Sequence, residues 1–343
     1  MRIGLIAPLE APVPPIAYGG IERIVGILAE GLAARGHDVI TFASGDSRPA
    51  GKHVATWPET IAAKSIREKD LINTIHTMEI LSHEADVDLW SNHLATFPLA
   101  LVSRLKAPML TTLHSEWIPE REELYRRASE WSAFTAISKY QRDRYADVSF
   151  AATIYHGTDT AQLTPGPGGN YLAWIGRLTE KKGPIEAIKI AQETGLPLKL
   201  AGPLRPAPEP DVPFYEEHIE PHLSDTIEFV GELDEKGKAD FLGHAKALLN
   251  PISWPEPFGL VAIEAMACGT PVLATRLGAM PEIIEHGSTG FLADSPEDLV
   301  KCVGDVDTLD RAAIRRVAEE RFSLTHMIDQ YESLFEKTIK SHG

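Results

Sequence analysis

The 343-residue sequence predicts an α/β chain of two doubly wound parallel sheets, one in each half, with helices on both faces. Three observations carry this. Short aliphatic, β-branched runs alternate with helix-length patterns along the chain. The length exceeds what a single core comfortably fills. A turn-rich stretch, Thr164-Pro165-Gly166-Pro167-Gly168-Gly169, divides two segments of the same rhythm.

The elements are read in chain order. Ile3 to Ala7 is a buried first strand, Gly20 to Arg35 a helix and Asp38 to Ala43 a second strand, which together make a βαβ opening. Further strands are expected from Leu89 to Ser91, Met109 to Leu113, Ala133 to Ile137 and Ala152 to Ile154. After the break come a strand from Tyr171 to Ile175, a helix from Pro184 to Glu193, and strands from Pro197 to Ala201 and Ile227 to Val230. A helix from Lys236 to His244, strands from Ala247 to Asn250 and Pro271 to Ala274, and closing helices complete the series. Domains are therefore expected over residues 1–164 and 165–321, with 322–343 as a terminal helix. In open sheets of this kind ligands bind at the carboxyl edges of the strands, so the active site is expected in a central cleft that the two halves face.

Composition narrows the function. A formal charge of −16 argues against nucleic acid as a partner and allows at most weak membrane association. The first 165 residues hold 16 Lys and Arg against 20 Asp and Glu, which makes that half the milder host for an anionic acceptor. No uncharged run approaches the roughly 18–20 residues that span a bilayer, and the start reads as a strand rather than a leader, so a cytoplasmic protein is expected. Cys268 and Cys302 match no metal or redox spacing, and Cys268 is expected to pack at a helix end.

The most informative stretch runs from Trp254 to Gly269 and places a carboxylate within an apolar helical run. Pro255 and Pro257 forbid helix before Phe258, so the helix is expected to start near Phe258 or Gly259 with its first N–H groups free for an anion. Glu256 lies just outside that start, and Glu264 lies about 9 Å along it at about 1.5 Å of rise per residue, near the reach of a diphosphate. This geometry suits a sugar hydroxyl at Glu256, phosphates at the helix start and a ribose at Glu264. The other reading has Glu256 on the surface and Glu264 paired with a buried Arg, since a buried charge requires a partner.

Each half also offers an anion-binding loop after its first strand. Gly19 and Gly20 open a helix, where missing side chains let backbone N–H groups approach a phosphate, although a plain turn serves the same pattern. Arg177 and Lys182 stand in Gly176-Arg177-Leu178-Thr179-Glu180-Lys181-Lys182-Gly183, where two cations can neutralise a pyrophosphate leaving group or simply be solvated.

Taken together, the motifs resemble a family 4 retaining glycosyltransferase of the GT-B fold. The resemblance rests on Tyr18-Gly19-Gly20-x-Glu22, Thr112-Leu113-His114, Ala136-Ile137-Ser138, Ile154 to Asp159, the Gly176 to Gly183 loop and the E-x7-E spacing of Glu256 and Glu264. These span almost the whole chain in the family's order. The resemblance implies that Arg177 and Lys182 grip the donor diphosphate, Glu256 contacts the transferred sugar and Glu264 binds the ribose. It implies phosphate contacts from the Gly19 and Gly20 amides, phosphate and sugar contacts from the Pro257, Phe258, Gly259 and Leu260 backbone, and a base near Gly202 and Leu233. His93, in Ser91-Asn92-His93, matches a family histidine at the sugar-binding edge, a position where a lone His can also be structural. The segment after Phe322 resembles the family's terminal helix that crosses back to the first domain.

His156 departs from the family's usual Asn, and few insertions are present to recognise an acceptor. The implied reaction is hexose transfer from a nucleotide diphosphate sugar, with UDP-glucose favoured and GDP-mannose second, to a small-molecule, glycan or lipid-linked acceptor. Retention is expected by same-face attack, because no second acid is identifiable beside the anomeric carbon. No cofactor or metal is expected. The D-x-D pairs Asp86/Asp88 and Asp305/Asp307 read as coincidental, and Gly231 to Ala239 falls short of a P-loop. A sugar phosphorylase or nucleotide-sugar epimerase on the same fold, and a non-catalytic nucleotide-sugar binder, are the competing readings.

Overall fold

Strands that are covered on both faces read as continuous apolar runs, and these runs form the centres of two sheets. In the computed structural model the first sheet contains β1 (Arg2–Ile6), β2 (Asp38–Ser44), β3 (Lys52–Trp57), β4 (Leu89–Asn92), β5 (Met109–Thr112), β6 (Ser132–Ala136) and β7 (Phe150–Thr153). The second contains β8 (Tyr171–Ile175), β9 (Leu198–Ala201), β10 (Ile227–Gly231), β11 (Ala245–Asn250), β12 (Val272–Thr275) and β13 (Gly290–Ala293). The structure describes residues 1–16, 19–205 and 211–342; Ala17 and Tyr18, in the expected glycine-pair loop, lie outside the described residues.

Among the described residues every pairing within the two sheets is parallel. The orders are β3-β2-β1-β4-β5-β6-β7 and β10-β9-β8-β11-β12-β13. Each sheet therefore reverses direction beside its first strand, β1 or β8, and such a switch point opens a crevice at the strands' carboxyl ends. The loops expected to bind anions follow β1 and β8.

The chain divides into one unit of Met1–His156 with Thr325–Gly343 and another of Gly157–Leu324. In the first, Phe42, Trp90, Tyr125 and Phe134 fill the core, and in the second Leu172, Trp174, Ile188 and Leu200 do so. The helix Leu324–His342 is amphipathic, with Met327, Tyr331 and Phe335 buried. It is joined to the first unit by Arg35, which pairs with Asp329 and Glu332 at 2.5 Å each, and by Tyr331, whose hydroxyl lies 3.2 Å from Thr112 Oγ1. The expected return of the terminal helix to the first domain is thus present.

Two strands escape the sequence reading, β3 and β13. Both are sheet edges. β3 mixes exposed and half-buried residues instead of forming an apolar run, while β13 is largely buried but only four residues long and opens on a glycine. No helix among the described residues is long and apolar enough to cross a membrane.

Candidate functional site

The loop after β8 is anchored from beneath. Trp174, on β8, donates its indole N–H to the Lys182 carbonyl at 3.0 Å, fixing the turn that carries Arg177 and Lys182. The Lys182 ammonium donates to Glu256 Oε1. Glu256 is not a surface residue, since its side chain is only 12% exposed. The ammonium groups of Lys181 and Lys182 also lie 5.5 and 5.4 Å from the ring centre of Trp254, within cation–π range.

Three buried polar atoms in these two loops lack a hydrogen-bond partner among the described residues: Arg177 Nε, Trp254 Nε1 and Glu256 Oε2. An unmade buried hydrogen bond costs about 1–3 kcal/mol, so such a group marks a place where a ligand can supply the partner. Sequence reasoning passed over Trp254 as a site residue, although its place two residues before Glu256 was the available signal.

The Glu256 backbone is clasped as well as its side chain. Its carbonyl accepts from Ala279 N–H at 2.9 Å, and a Cβ on Gly278, at φ 59°, would lie 2.2 Å from that oxygen. The following helix, Leu260–Ala267, begins one residue later than expected. Gly259 has φ 101°, which is not helical, and so serves as the N-cap; no side chain caps this end, leaving its amides for an anion. Pro257 and Phe258 are buried, and the Phe258 ring meets Phe322 edge-on at 6.2 Å.

Glu264 finds its counter-charge inside the protein. Lys238 Nζ donates to Glu264 Oε1 at 2.7 Å, and both side chains are 9% exposed. The partner is thus a lysine from the P-loop-like segment, where the alternative reading called for an arginine. Gly202 N–H donates to the Gly231 carbonyl at 3.0 Å, tying together the ends of β9 and β10 near the half-buried Leu233.

Gly19, Gly20 and His93 belong to the first unit. Gly19 is the N-cap of the helix Gly20–Ala34, which has no side-chain cap, and it accepts from Arg23 N–H at 3.0 Å. Burial pushes the Glu22 carboxyl in this first turn up to about 7, against the lowering effect of its backbone hydrogen bonds. His93 is fully enclosed: Nε2 lies 3.0 Å from Ser91 Oγ and Nδ1 lies 3.0 Å from His114 Nε2. His114 stacks on His156 at 5.3 Å, and the Tyr331 ring lies 6.2 Å from His93. Burial pushes His93 and His156 down to about 3 and His114 well below its usual value. The cluster is therefore neutral at physiological pH, and both His93 nitrogens are engaged by protein. The sequence could not show this grouping, because its members come from three separate strand ends.

Three of the four D-x-D carboxylates are engaged by the protein's own side chains. Asp88 binds Arg2 at 2.7 Å, Asp86 binds His83 at 2.8 Å and Asp307 binds Lys246 at 2.5 Å. Cys268 is buried at the end of the Leu260–Ala267 helix, as expected, and burial pushes its thiol up to about 12.

Known proteins share this architecture. Residues 158–308 match the family described as "Glycosyl transferases group 1", and residues 18–162 match "Glycosyltransferase Family 4". A D-inositol 3-phosphate glycosyltransferase of Pseudarthrobacter chlorophenolicus is 32% identical over 85% of this chain and 83% of its own. Among solved structures, the sucrose-phosphate synthase of Thermosynechococcus elongatus superposes with a TM-score of 0.84 at 21% identity, over 99% of this chain and 100% of that one. HepE of Anabaena in complex with UDP-glucose gives 0.76 at 18% identity, over 99% of this chain and 100% of that one. With two parallel-sheet domains, both family matches and a relative at this level of identity, the chain belongs to the family 4 glycosyltransferases of the GT-B fold.

Proposed function

We propose that this glycosyltransferase moves a hexose from a nucleoside diphosphate sugar to a small-molecule, glycan or lipid-linked acceptor with retention of configuration. UDP-glucose is the first choice of donor and GDP-mannose the second. The observation that carries the reading is the Lys182–Glu256 pair accompanied by the unpartnered atoms Arg177 Nε, Trp254 Nε1 and Glu256 Oε2. A diphosphate offers acceptors to Arg177 and Lys182, and a sugar hydroxyl can donate to Glu256 Oε2. The uncapped amide end at Gly259 and Leu260 adds positive potential for the same phosphates. HepE, solved with UDP-glucose, supports a uridine donor by its shared fold.

Chemistry follows from where charge develops. As the anomeric C–O bond to the diphosphate breaks, negative charge grows on the leaving oxygen, and Arg177, Lys182 and the helix start stabilise it. The acceptor oxygen bonds to the anomeric carbon on the face being vacated, and its proton passes to the departing diphosphate oxygen. Glu256 is engaged by Lys182 through Oε1, an arrangement that suits holding the sugar better than attacking it. In this reading His93 acts indirectly, holding Ser91 and His114 through its two ring nitrogens as a neutral ring. The transfer runs without a divalent ion, its charge being met by side chains and amides, and Asp88 and Asp307 of the D-x-D pairs serve the cations they already bind.

The test incubates the protein with labelled UDP-glucose and GDP-mannose, an acceptor panel, and either chelator or divalent ions, and identifies products by mass and anomeric NMR. Retained-configuration transfer that persists in chelator is expected. Sugar 1-phosphate formed with added phosphate, an epimerised donor, or strict manganese dependence would each overturn the corresponding part of the proposal.

A further inference from the structure

The segment Gly231 to Ala239, which resembles a P-loop without being one, has a different use. One of its two lysines, Lys238, is turned inward. Lys238 lies on the helix Glu235–Gly243, whose N-cap Asp234 accepts from Gly237 N–H at 2.7 Å and so fixes the first turn. From there Lys238 Nζ reaches Glu264 Oε1 at 2.7 Å and Glu235 Oε1 at 3.1 Å. Lysine is rarely fully buried unless paired, and here its side chain is 9% exposed.

Glu264 can turn about several bonds, and its helix neighbours are apolar: Ala262, Ile263, Ala265 and Met266 are all buried. Nothing on its own helix directs the carboxylate. Lys238 occupies Oε1, and Oε2 has no hydrogen bond among the described residues, so one oxygen is fixed and the other remains to accept. A carboxylate held in this way presents its second oxygen at a defined position, the arrangement required to recognise a hydroxyl rather than merely attract charge.

The geometry points to Lys238 as a positioning residue for donor recognition: by holding Glu264 Oε1 it aims Oε2 at the ribose hydroxyls of the nucleotide. This rests on the donor reading proposed above and assigns to the P-loop-like segment a share in telling ribose from deoxyribose. Lys238 touches no reacting atom. Its loss weakens hydroxyl recognition much more than it slows chemistry.

The experiment compares binding of UDP and 2′-deoxy-UDP, and of GDP and 2′-deoxy-GDP, by calorimetry to the wild type, Lys238→Met, Glu264→Gln and the double variant. The wild type is expected to prefer the ribose form by tenfold or more, and each variant to retain less than threefold preference. The double variant should match Glu264→Gln alone, because the two residues act as one unit. In steady state, Lys238→Met should raise the donor KM about tenfold more than it alters kcat. Lys238→Gln serves as the second variant where methionine lowers expression. A wild-type ribose preference that survives in Lys238→Met or Lys238→Gln overturns this assignment and leaves the donor reading intact. Failure of the wild type to bind either diphosphate overturns the donor reading and the assignment with it.

Discussion

Lys182 donates to Glu256 across 74 residues of sequence, joining the loop after β8 to the loop after β11. Both side chains are mostly buried, so neither charge is readily hydrated once its partner is removed. The pair therefore fixes the relative positions of the two loops that carry Lys182 and Glu256.

Replacing Lys182 by Ala should lower turnover at saturating donor by about a hundredfold or more, the usual effect of losing one preorganised donor to developing charge. Initial-rate measurements check this. Near-wild-type turnover would remove Lys182 from the leaving-group machinery.

Stability should fall in mild acid through the enclosed histidines. Burial lowers His93 and His156 to about 3, His114 well below 6.5, and His76, buried on the helix Ile66–Ser82 with Nε2 3.0 Å from the Ala7 carbonyl, to about 4, so the native state binds fewer protons than the unfolded chain. Stability is then full above the unfolded value near 6.5 and is lost as pH falls toward the folded values. The slope is about 1.4 kcal/mol per pH unit for each histidine. Urea unfolding at pH 7.5, 6 and 5 measures it, and an unchanged midpoint would contradict the neutral cluster.

Glu22 acts in the opposite direction. Its folded value of about 7 lies above its ordinary 4.5, so native stability declines as pH rises from 4.5 through 7. Glu22→Gln should be the more stable form at pH 8, by about 2–3 kcal/mol, with little difference at pH 4.5. An equal difference at both pH values would refute the buried neutral carboxyl.

Gly278→Ala should unsettle the Glu256 loop. The new Cβ would stand 2.2 Å from the Glu256 carbonyl oxygen, at a positive φ that alanine resists. A cost of at least about 2 kcal/mol is expected, read as a fall in Tm of about 4–8 °C, together with weaker donor binding. Unchanged thermal unfolding would show that the turn relaxes without loss.

Much of this could be read in advance where one local pattern decides the outcome. The central strands β1, β2, β4, β5, β8 and β11 are largely covered on both faces and appear as apolar runs, and the prolines flanking Glu256 delimit the helix that follows. Contacts between distant segments leave no such trace. The Glu264 carboxylate announces its need for a partner, but nothing in the spacing singles out Lys238, 26 residues away, over another cation. The same holds for His93 and His114, 21 residues apart, whose bond depends on the order in which strands enter the sheet.

The terminal helix carries a kinetic consequence. Tyr331 and Phe335 are completely enclosed in the unit that begins at Met1, yet the ribosome makes them after every strand of both sheets. At roughly 5–20 residues per second, the earliest strands wait on the order of fifteen to sixty seconds for the aromatic side chains that close their core. Through that interval the nascent first unit exposes a hydrophobic seam, while the later unit, Gly157–Leu324, has its whole sequence available sooner.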